Sequence, residues 1–492
     1  MSKTPPLITE LTLADWIAVG SGWTYLPYLA KFSVPSLPAD WESFLEGRFN
    51  AVLESGQTGN INIVIPRAPS VKVFNLNGRV IKHTQTGAYE SHQENILAYI
   101  KAWKNKHRTP HFKGWPDFQG GIIGIISYEV ITQFEPVKSA PSDINTPLGA
   151  FINASESCIF DKNKKELTVA ILCPTHQNAE YSWRAAQKRA LELAEKWIAA
   201  CEVNSQNYTN TQTSNSAILS FSLDESAFKS AVNTVKEYIA AGDTYQVNLS
   251  TRLEVPAINA QRAYEWLRHN NPSPYMGYLK FPDGELVCGS PELLVEVING
   301  QIRSRPIAGT RPRGASAESD ENWVKELSEN KKESAEHLML VDLLRNDVGR
   351  VSIAGSVKVP EFMAVEKYSH VMHLVSQVEG KILPTATPAD VIKAMFPGGT
   401  ITGAPKVRTM QIISELEPVA RGFYTGSVGW IGASGNLCFN IIIRSLWSSQ
   451  GRCFIQAGAG VVADSDPQQE YQESIRKAQA PLMAATYAQL QR

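Results

Sequence analysis

The sequence predicts a mixed α+β or α/β protein built as two lobes. Short β-type runs alternate with polar turns over residues 1 to about 200, whereas helical and strand periodicities alternate from Ser222 onward. Between them lies Asn204-Ser-Gln-Asn-Tyr-Thr-Asn-Thr-Gln-Thr-Ser-Asn-Ser216, which has almost no apolar content and reads as an exposed linker. The chain thus divides into an N-terminal lobe at 1–203, a polar linker at 204–217 and a C-terminal domain at 218–492. At 492 residues and 43% hydrophobic content it can build a substantial core.

In the first lobe Ile61–Ile65, Gly121–Tyr128 and Leu167–Leu172 are the strand candidates. Trp183–Cys201 reads as a helix because Ala186, Ala190, Leu193 and Trp197 keep helical spacing. After the linker come a helix over Glu225–Ala241, a strand over Tyr245–Val255 and a hairpin-like pair across Met276–Ile298. A helix over Trp323–Arg345, a strand over His370–Val378, a helix over Lys406–Leu416 and strands over Gly426–Trp447 follow. Phe454–Val462 is largely apolar and carries Gly458-Ala-Gly460, so it reads as a strand with a stretch of approachable backbone. Asp466 fits the N-cap of a closing helix, Pro467 its first position and Gln469 the third residue of a capping box. No internal repeat is found.

With 47 basic against 48 acidic residues there is no electrostatic case for a nucleic-acid or membrane-surface partner, so any anionic ligand must be held by a local cluster. The six cysteines stand singly, without CxxC or metal spacing, and read as reduced core residues. The N-terminus lacks a signal-peptide apolar region and no run approaches a membrane span, so a cytoplasmic protein is expected.

Glu470, Glu473 and Lys477 fall at i, i+3 and i+7, on one face of the closing helix and beside the glycine strand. Glu333 and Glu336 form a second i, i+3 pair. Each pair alone also describes a solvated helix face. Facing one another they would make an oxygen-rich site suited to Mg²⁺. Phe396-Pro-Gly-Gly-Thr-Ile-Thr-Gly-Ala-Pro-Lys406 is a glycine-rich loop entering a helix, a usual place for an anion, but Ala404 and Pro405 after Gly403 exclude a Walker A loop. Arg444 in the apolar strand Phe439–Leu446 is either an edge or paired arginine or a fork for a carboxylate. His370 and His373, three apart in a strand, point to opposite faces and cannot share a metal. Glu292, before the apolar run Leu293-Leu-Val295, is either a partly buried acid with a raised pKa or a strand-terminal surface residue.

Together these segments resemble the chorismate-utilising enzymes: the large subunits of anthranilate synthase and aminodeoxychorismate synthase, and more distantly isochorismate and salicylate synthases. The likeness runs through Gly242-Asp-Thr-Tyr-Gln-Val-Asn-Leu-Ser250, Gly289-Ser-Pro-Glu292, Arg305-Pro-Ile-Ala-Gly-Thr-Arg-Pro-Arg-Gly314 and Ala335-Glu-His-Leu-Met-Leu-Val-Asp-Leu-Leu-Arg-Asn-Asp347. It continues through Thr400–Lys406, Tyr424-Thr-Gly426, the Arg444 segment and the C-terminal stretch, and is weaker in the first lobe, at Val52-Leu-Glu-Ser55 and Asp117-Phe-Gln-Gly-Gly121. The resemblance implies layered antiparallel sheets forming a sandwich-like core surrounded by helices.

It also implies roles. Glu336 and Glu473 match Mg²⁺ ligands, with Glu333 and Glu470 in support, the ion clamping the ring carboxylate of chorismate. Lys477 and the amides around Gly458 and Gly460 would hold that carboxylate, and Arg444 with Tyr424 the enolpyruvyl carboxylate. Glu292 matches the general acid for the leaving hydroxyl, and His373 and Thr400 match residues lining the ring. At the position of Gln246, relatives that add water carry a lysine, so glutamine points to ammonia as nucleophile. Ala308 stands where many aminodeoxychorismate synthases carry a nucleophilic lysine, which by itself favours anthranilate synthase. Thr400-Ile-Thr-Gly403, Leu343-Leu-Arg-Asn346 and Phe439-Asn-Ile-Ile-Ile-Arg444 favour the aminodeoxychorismate branch, which the whole pattern resembles more. With no cysteine in a glutaminase elbow, the resemblance implies a separate glutamine amidotransferase subunit. Ser55, Pro274, Tyr275 and Met276 match elements that bind tryptophan in the family, and are otherwise ordinary core. A non-catalytic tryptophan-binding paralogue is the rival from another class, but it would be expected to have lost the acid or the carboxylates, and all are present.

Overall fold

Residues 4–56, 59–203, 208, 218–314, 316–367 and 371–490 are described by a computed structural model. Among them the strands form two large antiparallel sheets, one of 13 strands and one of 12. The first sheet joins two groups of strands where Asn50–Glu54 pairs with Tyr275–Phe281, and the second where Gly121–Ile126 pairs with Ser427–Gly432. Strands from both sides of the 204–217 stretch therefore share each sheet. The boundary is one of sequence composition and does not divide the sheets. That stretch and His370 lie outside the described residues, except Tyr208, whose ring stacks on His269 at 4.7 Å.

The sheets pack face to face. Gly121–Ile126 shows how the sequence arranges this: alternate residues point to opposite faces, and Ile123 and Ile125 enter the core between the sheets while Ile122 and Ile126 meet the outer helices. Ala179–Cys201, Ala260–Asn270 and Pro467–Leu490 cover the outside of the first sheet. Ile96–Lys106, Lys331–Gly349 and Pro388–Met395 cover the second. The layered sandwich with surrounding helices is thus what the chain builds.

Two elements differ from expectation in ways that matter to the site. The single helix expected over Trp323–Arg345 is two, Ala317–Glu329 and Lys331–Gly349, because Asn330 interrupts it and its side chain accepts from the Glu333 amide at 3.1 Å. Glu333 consequently lies in a first helical turn, where the helix dipole favours a carboxylate. The run expected as strands over Gly426–Trp447 is Ser427–Gly432, Leu437–Ile441 and Ser445–Ser449. Arg444 is not inside a strand. It sits in the break, with φ +54°, where the chain leaves the second sheet for the first.

Candidate active site

Glu292 occupies a matching break. Gly284–Ser290 belongs to the first sheet and Leu293–Ile298 to the second, so the chain changes sheets at Pro291-Glu292. The two crossings run side by side: Ile441 N–H donates to Glu292 O at 3.0 Å, and Gly289 N–H donates to Arg444 O at 3.2 Å. Side chains at such crossings need not alternate into either core, which frees them for a cleft. Glu292 is 7% exposed. Burial raises its carboxyl pKa to about 7, against the lowering influence of the Thr400 hydroxyl and the Lys477 charge. Arg444 makes no ion pair among the described residues. Burial lowers its pKa while Glu473 and Tyr424 raise it, which places those two groups near the guanidinium.

The glycine strand Arg452–Val461 comes to the same place, with Gly458 beside the hydroxyl of Tyr424, a neighbour of Arg444. It pairs with Gln246–Pro256 along its length, Gly460 opposite Asn248 and Gly458 opposite Ser250. The Asn248 amide donates instead to Thr402 O at 2.8 Å and the Ser250 amide to Glu417 at 3.0 Å, so these are non-hydrogen-bonded pairs. The peptide groups of Gly458 and Gly460 therefore face away from Gln246–Pro256, beyond the end of Ser445–Ser449, which pairs only with residues 452–455. Lys477 Nζ reaches Gly458 O at 3.2 Å and Glu473 Oε1 at 2.7 Å. Side chains would close this edge: a Cβ at Gly458 would meet the Tyr424 hydroxyl at 2.9 Å and Leu249 O at 2.4 Å, and one at Gly460 would meet Gln246 Nε2 at 2.6 Å. The helix bearing Glu473 and Lys477 starts as its sequence indicates, with Gln469 N–H donating to Asp466 Oδ1 at 2.9 Å.

From the other side Gln246 Nε2 donates to Glu336 Oε1 at 2.5 Å. Glu333 Oε1 accepts from Arg311 Nη1 at 2.9 Å, while Glu333 Oε2 and Gln246 Oε1 are buried without a hydrogen-bond partner among the described residues. Glu470 Oε1 accepts from Ser465 Oγ at 2.7 Å. Among the described residues no three or more His, Cys, Asp or Glu side chains are gathered as a metal centre. The four acids come as two pairs on two helices, one tied to Gln246 and Arg311, the other to Lys477 and Ser465. On the side of Glu333 and Glu336, the oxygen donors with Glu333 Oε2 and Gln246 Oε1 beside them fit a hard cation.

His373 accompanies them: its Nδ1 lies 3.3 Å from Gly309 O, and burial, with a contribution from Arg444, lowers its pKa. Ala308 is buried on the neighbouring strand opposite Leu374. Thr400, in the turn Gly399–Ile401, lies beside Glu292, yet its Oγ1 has no partner in good hydrogen-bond geometry among the described residues. Burial also raises the Tyr424 pKa, and its hydroxyl accepts from Asn248 Nδ2 at 3.4 Å.

Ser55, Pro274, Tyr275 and Met276 form a second group one crossing away. Glu54 pairs with Met276, and Tyr275 pairs with Ser290 just before Glu292. The Gly56 backbone abuts Ser273 so closely that a Cβ would meet Ser273 O at 2.1 Å. Ser55 Oγ and Ser273 Oγ are both buried without hydrogen-bond partners among the described residues.

Sequence reasoning missed Asn248 and the buried pair Glu417–Arg421 beneath Tyr424. Glu417 and Arg421 lie beyond the end of the helix Lys406–Leu416, with Pro418 between them, so no helical spacing marked the pair.

Comparison with known proteins adds to this geometry. Residues 56–483 match the family model described as chorismate binding enzyme. The chain is 42% identical over 450 residues to aminodeoxychorismate synthase component 1 of Bacillus subtilis, covering 91% of this chain and 94% of that one. It is 38% identical over 439 residues to anthranilate synthase component 1 of Acetivibrio thermocellus, covering 88% of each. The crystal structure of anthranilate synthase component I from Streptococcus pneumoniae superposes with a TM-score of 0.72 at 32% identity, covering 86% of this chain and 92% of that one. A protonatable acid and an arginine at paired sheet crossings, facing a bare glycine edge, thus lie in a chain that belongs to the chorismate-binding enzyme family.

Proposed function

We propose that the chain catalyses Mg²⁺-dependent amination of chorismate to 4-amino-4-deoxychorismate, the step toward para-aminobenzoate and folate. Ammonia would come from a separate glutamine amidotransferase subunit, in the cytoplasm. The observation that carries this reading is Glu292, a carboxyl buried beside the Arg444 crossing with a pKa of about 7, in a chain so similar to the Bacillus subtilis aminodeoxychorismate synthase component. Such a carboxyl is half protonated near neutrality, the state a general acid needs.

Arg444 and Tyr424 bind the enolpyruvyl carboxylate, and Lys477 with the Gly458 and Gly460 peptides the ring carboxylate. Glu292 gives its proton to the C4 hydroxyl, which leaves as water while ammonia forms the new carbon–nitrogen bond. The proton lost by the attached nitrogen returns the carboxylate to its acid form. With alanine at 308 the attack is direct and no lysine adduct forms. Glu333, Glu336, Glu470 and Glu473 would hold Mg²⁺, which when bound supplies positive charge against the ring carboxylate. His373 and Thr400 border the ring, and Gln246 orients Glu336 without supplying the base that addition of water requires.

Ala308 also supports a second reading, formation of anthranilate and pyruvate, because that reaction needs no lysine. Chorismate, ammonium and Mg²⁺ incubated with the chain, with and without aminodeoxychorismate lyase, separate the two. The first reading gives para-aminobenzoate only when the lyase is present, and the second gives fluorescent anthranilate without it. The partnerless hydroxyls of Ser55 and Ser273 beside Pro274, Tyr275 and Met276 support binding of an aromatic amino acid such as tryptophan. Titration calorimetry with tryptophan tests this, and no heat above dilution would contradict it.

A further inference from the structure

Arg421 lies beneath Tyr424, packs against the ring of that substrate-binding residue, and is itself assigned no contact with substrate. Its side chain is 1% exposed and that of Glu417 3%. All five guanidinium N–H donors have acceptors. Nε and Nη2 grip Glu417 at 2.8 and 2.7 Å, Nη2 also donates to Asn248 O at 2.6 Å, and Nη1 donates to Ile401 O at 3.1 Å and Thr425 Oγ1 at 3.2 Å. The guanidinium packs over the Tyr424 ring, 5.5 Å from its centre, and over Tyr128 at 5.0 Å. Glu417 in turn accepts from the Ser250 amide at 3.0 Å and hydroxyl at 2.8 Å.

Each acceptor beyond Glu417 belongs to a different site-bearing segment. Asn248 is two residues from Gln246 and opposite Gly460, Ile401 follows Thr400, and Thr425 follows Tyr424. Thr425 holds a left-handed backbone, φ +58°, so the turn that aims Tyr424 needs support from outside itself. A buried ion pair serving stability alone needs partners only to satisfy its charge. This one distributes its donors over three segments, adding a common anchor beneath them to the pairing of Gln246–Val247 with Gly403–Ala404 and the contact of Asn248 with the Tyr424 hydroxyl. We propose that Arg421, held by Glu417, is a positioning residue that fixes Gln246, Thr400 and Tyr424 relative to one another. Lysine, with three donors and no planar fork, cannot reproduce this.

The proposal rests on the reaction above only for its kinetic readout, so hydrogen exchange is measured alongside. The double variant Glu417→Gln/Arg421→Met replaces both members of the pair with neutral residues of similar shape, and Arg421→Lys keeps the charge while losing donors. In either, amide protection should fall about tenfold in residues 244–250, 398–404 and 421–426 together, with the rest of the chain unchanged. The KM for chorismate should rise about tenfold and kcat/KM fall about ten- to hundredfold, whereas loss of folded protein alone would leave KM unmoved. Exchange confined to residues 417–421, or wild-type protection with wild-type KM, overturns the proposal. Should the double variant not fold, Arg421→Lys decides. A wild-type chain inactive on chorismate refutes the proposed reaction, and the exchange pattern still decides the role of Arg421.

Discussion

Gln246 Nε2 stands 2.5 Å from Glu336 Oε1, joining the strand opposite the glycine edge to the helix that carries Glu333 and Glu336. A neutral amide donor fixes one carboxylate oxygen without cancelling its charge, which is what an outer partner of a metal ligand does. Gln246→Leu should therefore fold normally and raise the Mg²⁺ concentration giving half-maximal activity about ten- to hundredfold. A Mg²⁺ titration of ammonium-dependent turnover measures it, and an unchanged midpoint would detach Gln246 from the metal.

Glu292 predicts opposite effects on activity and stability. As the acid it must be protonated, so with a pKa of about 7 kcat/KM should decline as pH rises through 7, and Glu292→Gln should lose about 10²–10⁴-fold. Its folded pKa lies above the ordinary carboxyl value, so its contribution to stability is complete below pH about 4.5 and is lost as pH rises through 7. Glu292→Gln removes that dependence. The variant should match wild type in acid and exceed it by about 3 kcal/mol above pH 7, as read from unfolding at several pH values. Equal stability at pH 8.5 would mean that the buried carboxyl carries no such cost.

At Gly460 a Cβ would sit 2.6 Å from Gln246 Nε2 and 3.9 Å from Glu336 Oε1. Gly460→Ala should displace the Gln246 amide, the flexible partner, and reproduce the raised Mg²⁺ requirement of Gln246→Leu with little loss of stability. At Gly458 the obstacle is backbone, Leu249 O at 2.4 Å, so Gly458→Ala should lower the thermal midpoint as well as activity. Equal midpoints for the two variants would contradict this contrast.

The strands were legible because they are apolar in runs or in alternation, the closing helix because Asp466 and Pro467 mark its start, and the sandwich arrangement through the family resemblance alone. The crossings at Glu292 and Arg444 were not. An apolar run such as Phe439-Asn-Ile-Ile-Ile-Arg-Ser-Leu446 looks continuous whether it stays in one sheet or passes between two, since both cores accept isoleucine. The acids Glu470 and Glu473 and the base Lys477 could be placed on one helix face from spacing alone. Their relation to Gln246 and Tyr424 depends on strand register across more than two hundred residues, which local patterns do not encode. Arg421 was overlooked for the same reason: the acceptors that tie it to the Gln246 and Thr400 segments are the backbone oxygens of Asn248 and Ile401, and a carbonyl leaves no mark on a sequence.

Arg444 keeps a left-handed backbone and a guanidinium without an ion pair among the described residues. Arg444→Lys retains charge and loses the planar fork, so the KM for chorismate should rise about ten- to hundredfold with a smaller change in kcat. A KM equal to that of wild type would remove Arg444 from the substrate carboxylate.

The most direct measurement is turnover of chorismate with ammonium and Mg²⁺ by wild type and Glu336→Gln under identical conditions. The wild type should form 4-amino-4-deoxychorismate and the variant should form none detectable while retaining the wild-type fold. Undiminished turnover by Glu336→Gln would show that the cleft between Glu336, Arg444 and the glycine edge is not where the reaction occurs.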